Sequence, residues 1–346
     1  MQPSNSEKGQ MKLNNLEMKT SKLIVILAVT ASLSMGFLQS TAQTVIAETD
    51  PLALWNEGSA KASILDFIST VTDRGNPGFL PVEERVAVFD MDGTILVEKP
   101  GYVLFDFVIR RLMQQIDANP GLTQKQPYKA VYEKDWAYFE TLSLYGDDGL
   151  YGTLLYAFDG FTSIQYRDSV KSYFQNTVDD RYQKHYDKLF FSPMLQLIRY
   201  LHANQFEVYI VSGSETEFIR TFCEEATHIP ARNVIGTTIL SRWIEADNGS
   251  YFVHEHGFVE PVNDEGGKPV NIRNRTGKIP ALAVGNSAGD YHMLEYSKNA
   301  PVSLQMIVNH DDSEREYNYD AEKMKKLCLE HGWKVISIKH DFKEVF

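Results

Sequence analysis

Cysteine is almost missing from this sequence: Cys223 and Cys328 are the only two in 346 residues. Two thiols about a hundred residues apart supply neither a disulfide framework nor a zinc site, and neither has a neighbouring base that would make it a nucleophile. Whether they pair with each other is left open. Positive charge is also short. The chain carries 34 Lys and Arg against 46 Asp and Glu, a formal net charge of −12, with no long basic stripe, so nucleic acid and anionic lipid surfaces are excluded as expected partners. Long apolar runs are missing as well. The stretch LIVILAVTASL, Leu23 to Leu33, falls short of the roughly 20 residues that cross a bilayer. There is no internal repeat and no low-complexity segment.

That short apolar run has a different use. Lys12, Lys19 and Lys22 precede it, and Ser40 and Ala42 give a small-x-small pattern, so residues 1–42 are expected to be a cleaved export signal. Val45 and Ala47 offer a second cut, and Met11 or Met18 an alternative start. The expectation is therefore an exported protein, periplasmic or secreted, with no stable membrane association after cleavage. Cleavage would remove four lysines and two glutamates and leave the mature chain near −14.

What remains is globular in composition, with 43% apolar and 23% charged residues. At this length one large domain or two unequal ones are expected. In WNEGSAKASILDFISTVTD, Ala60, Ile64, Ile68 and Val71 fall at helical spacing. RVAVFD then reads as a buried parallel strand ending in Asp90, and the same grammar returns in FEVYIVSGS (206–214) and ALAVGNSAGD (281–290), each followed by a helical pattern. Three such units predict an α/β fold, a doubly wound parallel sheet, whose strand carboxyl ends would bring Asp90, Ser212 and Asp290 together. The spacing between the first two units is far longer than a crossover needs. A mainly helical cap is therefore expected at 101–189, between a first core part at 48–100 and a second at 190–346. Within the latter, Asp247-Asn248-Gly249 reads as a hairpin turn.

The stretch VAVFDMDGTILVEKP, residues 86–100, sets two acids at the end of the first strand. A carboxylate at Asp90 can attack a phosphoryl group to give an aspartyl-phosphate, and Asp92 can protonate the leaving alcohol and then activate water. Gly93 lets the main chain approach the phosphate. Ser212 and Gly213 offer a hydroxyl and amides to phosphate oxygens, and Lys268 can neutralise the charge that Asp90 shares with the phosphate, with Lys278 its rival. Asn286 and Asp290 are oxygen ligands suited to a hard cation such as Mg²⁺. Glu98 either faces the substrate or is a plain surface acid.

These motifs resemble the haloacid dehalogenase superfamily, and within it the exported, phosphoserine-phosphatase-like hydrolases with a helical cap. The resemblance runs through FDMDGT, SPMLQLIRYLHANQFEVYIVSGSETEF, GGKPVNI, GNSAGD and the tail HDDSEREYNYD. It implies Asp90 as nucleophile, Asp92 as acid and base whose backbone carbonyl also binds metal, Thr94 and Ser212 as phosphate contacts, Lys268 as charge clamp, and Asp90, Asp92, Asn286 and Asp290 around Mg²⁺ or another divalent cation. Many relatives have Asp where Asn286 stands, so weaker Mg²⁺ binding or another ion is expected. The implied reaction is hydrolysis of a small phosphorylated metabolite. Tyr138, Phe139, Tyr145, Tyr151, Tyr156, Phe158 and Phe161 either form the cap's own core or cage a quaternary ammonium, as in phosphorylcholine phosphatases. Those relatives commonly have Asn where Gly93 stands. A module that only binds a phosphorylated ligand would be expected to have lost a charged member, and Asp90, Asp92, Lys268 and Asp290 are all present. Oligomeric state is open.

Overall fold

The computed structural model describes residues 50–141, 149–247 and 249–346. The expected export signal, Tyr145 of the aromatic set and Asn248 of the hairpin turn lie outside the described residues. Asp50–Phe346 forms one packed unit, and among the described residues no helix is long and apolar enough to cross a membrane.

Strand β1, Val86–Phe89, is buried on both faces, which is why it reads as a continuous apolar run without alternation. It lies inside a six-stranded parallel sheet with β2 (Glu207–Glu215), β3 (Val234–Thr237), β6 (Leu282–Gly285), β7 (Leu304–Asn309) and β8 (Lys334–Ser337), in the order β3-β2-β1-β6-β7-β8. From β1 the chain first builds outward through β2 and β3, then returns to lay β6, β7 and β8 on the other side. The strand order thus reverses between β1 and β6, the position where open sheets of this kind bind ligands. The helix Ser59–Thr72 buries Ala60, Ile64, Ile68 and Val71, the four positions of the sequence pattern.

Alternate residues of each strand feed two cores. Ala87, Phe89, Ile210 and Val284 belong to one cluster, and Val86, Val88, Val211 and Ala283 to the other, as a period of two requires. Cys223 packs in the first cluster and Cys328 in the second. Both thiols are free and buried, with the sheet between them.

Between β1 and β2 the chain forms the helices Val103–Ala118, Tyr128–Glu133, Trp136–Thr141, Leu150–Phe158 and Ser163–Asn176 before Ser192–Ala203 leads into β2. The antiparallel pair β4 (Ile239–Ala246) and β5 (Gly249–Phe258) closes between Ala246 and Gly249. It is tied to the inserted helices, because Gly160 N donates to His254 O at 3.1 Å and His254 N to Phe161 O at 2.8 Å. The hairpin comes after β3 in sequence yet supports the insertion.

Candidate active site

Asp90 is the first residue past β1, and its amide donates to Val284 O on β6 at 2.9 Å. The ladder therefore continues just far enough to aim the side chain over the β1–β6 crevice. Lys268 comes from the first turn of the helix Gly267–Thr276. Its Nζ donates to Asp90 Oδ1 at 2.7 Å and to Asp290 Oδ1 at 2.6 Å, with all three side chains buried. The other Asp290 oxygen accepts from the amides of Asn286 and Ser287 at 3.0 and 3.1 Å. Asp290 thus shapes the loop after β6 while holding Lys268 in place.

The turn after β1 is tight. Gly93 adopts φ +79°, and a Cβ there would lie 1.9 Å from Asn286 Nδ2, so no side chain fits. Thr94, fully buried, sends its hydroxyl toward Asp90 Oδ2 and Asn286 Oδ1, both at 3.4 Å. Asn286 Nδ2 donates to Glu98 Oε1 at 3.1 Å. Across the crevice, the hydroxyls of Ser212 and Ser214 reach Asp92 Oδ2 at 3.2 and 2.7 Å. Asn263, fully buried, ties this end of β2 to β3 by donating to Ser212 O at 2.8 Å and Ile235 O at 2.9 Å.

A cavity of about 310 Å³ opens over these groups, and Asp90, Asp92, Glu98, Ser212, Gly213, Lys268 and Asn286 all line it. Thr94 and Asp290 reach it through their partners, and Gly93 shapes its turn. Lys278 does not come near; it faces Glu207 at 3.7 Å on the surface. The roof is cap: Tyr102, Leu104, Phe105, Val108, Leu150, Tyr151 and Leu154. Cap and core meet closely where a Cβ on Gly213 would approach Tyr151 Oη to 2.6 Å.

Among the described residues the aromatic set does not assemble into a cage. Phe158 stacks on Phe107 at 4.8 Å, Phe139 meets Phe105 and Tyr138 edge-on at 5.1 and 5.2 Å, Tyr156 packs on His256 at 5.2 Å, and Phe161 lies under Arg111. Of the named set, only Tyr151 lines the cavity among the described residues. The other described members pack on cap side chains or, for Tyr156, on the hairpin.

Sequence reasoning missed Ser214, although its spacing of two from Ser212 puts both hydroxyls on one side of a strand. It also missed His310, in the tail motif, whose Nε2 lies 2.8 Å from Gly93 O and whose Nδ1 lies 3.0 Å from Glu316. A carbonyl can only accept, so Nε2 carries a proton. The tail thereby braces the nucleophile turn.

Electrostatics follow from burial. Burial drives the Asp90 carboxyl well above the usual range; Lys268 pulls against this, while Asp290 and Asp92 add to the rise. Burial also works against the Lys268 ammonium, but Asp290 and Asp90 outweigh it and hold its pKa above the ordinary lysine value. One cation shared by two acids gains from both, while each acid receives only part of its help. The Asp92 carboxyl is likewise raised by burial, with the Ser214 and Ser212 hydroxyls opposing. A raised carboxyl suits a group that must give up a proton.

With Lys268 between Asp90 and Asp290, the described residues contain no cluster of three His, Cys, Asp or Glu placed to hold a metal. The donor set is nevertheless one that fits a hard cation, since Asp90, Asp92 and Asn286 meet at the crevice and offer oxygens. The acids Asp90, Asp92, Glu98 and Asp290 outnumber the one lysine, a negative surplus that a divalent cation offsets.

A model of haloacid dehalogenase-like hydrolases matches residues 87–295. Among solved structures, the chain is similar to a conserved, functionally unknown protein from Anaerococcus prevotii, with a TM-score of 0.51 and 18% identity over 82% of this chain and 93% of that one. It is also similar to a protein of unknown function from Bordetella pertussis, with a TM-score of 0.48 and 14% identity over 73% and 98%. A phosphoserine phosphohydrolase-like protein from Francisella tularensis gives 0.41 and 16% over 73% and 94%. At such identities likeness speaks to fold. No curated protein matches the chain. The family match covers more than half of the sequence and includes β1, β2 and β6, and the chain belongs to the haloacid dehalogenase-like hydrolases.

Proposed function

We propose that the protein is an exported, metal-dependent phosphomonoesterase that works through a phosphoaspartyl intermediate on Asp90. One observation carries this reading: Lys268 holds Oδ1 of Asp90, leaving Oδ2 as the attacking oxygen, with Asp92 lining the same cavity. Export is supported by the basic residues that precede the apolar run Leu23 to Leu33.

In the first step Asp90 Oδ2 attacks phosphorus, the bond to the substrate oxygen breaks, and the leaving oxygen takes the proton of Asp92. In the second, Asp92 takes a proton from water, which attacks the aspartyl-phosphate; the bond from phosphorus to Asp90 breaks and phosphate leaves. Lys268 neutralises charge at Asp90 throughout, and Ser212, Gly213 and Thr94 hold phosphate oxygens. Asp90, Asn286 and the main-chain carbonyl of Asp92 would hold a divalent cation, with Asp290 supporting them; such an ion supplies positive charge to the phosphoryl oxygens. Positioning and charge then account for most of the catalysis.

The cavity is small, and beyond Asp90, Asp92 and Lys268 its charged walls are Glu98, Asp264 and Glu265. A second anionic group on the substrate would be repelled there, while Leu104, Val108, Leu150 and Leu154 favour a compact leaving group with apolar surface. The substrate class is a small phosphomonoester whose alcohol bears no further negative charge.

The test is phosphate release from a panel of small phosphomonoesters, with and without chelator. Release should stop on chelation. An acid-quenched reaction should leave label on Asp90, and Asp90→Asn should lower turnover by at least about a hundred-fold with its fold retained. Activity indifferent to chelator overturns the metal, and a protein inert to every phosphomonoester overturns the reading.

A further inference from the structure

Asp92 shows a lopsided set of partners. Its Oδ2 receives two hydroxyls, Ser214 at 2.7 Å and Ser212 at 3.2 Å. Its Oδ1 is buried and has no partner at all. Ser212 Oγ also accepts the amide of Ser214 at 3.0 Å.

The backbone supplies the reason both serines face one way. They lie two residues apart at the end of β2, and the register against β3 shifts between Val211 and Glu215. Bulges of this sort re-aim side chains beside active sites. Ser212 and Ser214 both point to Asp92, while Gly213 between them faces Tyr151.

We propose that Ser214 is a positioning residue for proton transfer: its hydroxyl holds the Asp92 carboxyl in the orientation from which the acid proton reaches the leaving group. As the substrate P–O bond breaks, its electron pair stays on the leaving oxygen and takes the proton of Asp92; the resulting carboxylate keeps the Ser214 hydroxyl as its donor. This inference rests on the phosphatase reading and assigns the support of the acid within it.

Leaving groups separate the two. An alkyl alkoxide needs protonation as it departs, whereas p-nitrophenolate does not. The measurement is kcat/KM, which ends at the first irreversible step, for an alkyl phosphomonoester and for p-nitrophenyl phosphate, in the full chain and in Ser214→Ala, Ser214→Gly and Ser214→Thr. Loss of the hydroxyl should lower the alkyl reaction at least about ten-fold more than the aryl one, and Ser214→Thr should restore most of the ratio. Two hydroxyl-free variants are used so that a folding defect in one, seen by thermal unfolding, leaves the other to decide. An equal fall for both substrates, or no change in their ratio, overturns the assignment while leaving the phosphatase intact. A wild-type protein that cleaves neither substrate overturns the phosphatase reading and this inference together.

Discussion

The side-chain amide of Asn286 donates to Glu98 Oε1 at 3.1 Å, and that bond decides which way the amide faces. A carboxylate can only accept, so the nitrogen turns to Glu98 and Oδ1 turns to Thr94. The residue that stands in place of an expected aspartate is therefore matched to its neighbour.

Asn286→Asp sets two buried carboxylates against each other, since both side chains are nearly inaccessible. The added charge favours a cation but repels Glu98 and the phosphate. The single variant should unfold at lower temperature and turn over more slowly, and adding Glu98→Gln should recover a coupling of about 1–2 kcal/mol. A double-mutant cycle on thermal stability checks this; additive effects would show that the pair does not interact.

Gly93→Ala should be damaging out of proportion to its size. The position has φ +79°, and the new methyl would overlap Asn286 and press on Glu98. A left-handed alanine alone costs about 1–2 kcal/mol, and the overlap adds to it. We expect a large fall in kcat with a lowered melting midpoint, read by enzyme kinetics and calorimetry.

Lys268→Met leaves Asp90 and Asp290 buried without their shared counter-charge. Breaking a buried pair of this kind costs about 3–5 kcal/mol. The variant should lose that stability near neutral pH and regain part of it in acid, where Asp90, its carboxyl raised by burial, takes up a proton. Denaturant titrations at two pH values would show it, and equal losses at both would argue against the charge explanation.

Glu215 gives a pH dependence away from the chemistry. Burial raises its carboxyl to about 7, above its ordinary 4.5, against the opposing amide of Phe218. The folded state then binds the proton more tightly than the unfolded chain. Its contribution to stability is whole below about 4.5, declines as pH rises, and is gone above about 7. Glu215→Gln should flatten the fall in stability between about pH 5 and about pH 8. An unchanged slope would mean that another group titrates.

Much of this protein was legible in its sequence because the information was local. A run of apolar residues followed by small or acidic ones, repeated three times with helical patterns after it, determined the parallel sheet and placed Asp90, Ser212 and Asp290 at one edge. A strand buried on both faces cannot alternate, so VAVF announced itself. The strands Val234–Thr237 and Lys334–Ser337 did not, since VIGT and KVIS each offer only two consecutive large apolar residues. What only the tertiary structure decided were the relations between distant groups that carry no local pattern. Asn286 meets Glu98 across 188 positions and His310 finds Gly93 across 217. The cap aromatics failed as a cage for the same reason. Composition counts rings, but whether a ring faces a ligand or another ring depends on packing, and in a cap with a core of its own to fill, burial took most of them inward.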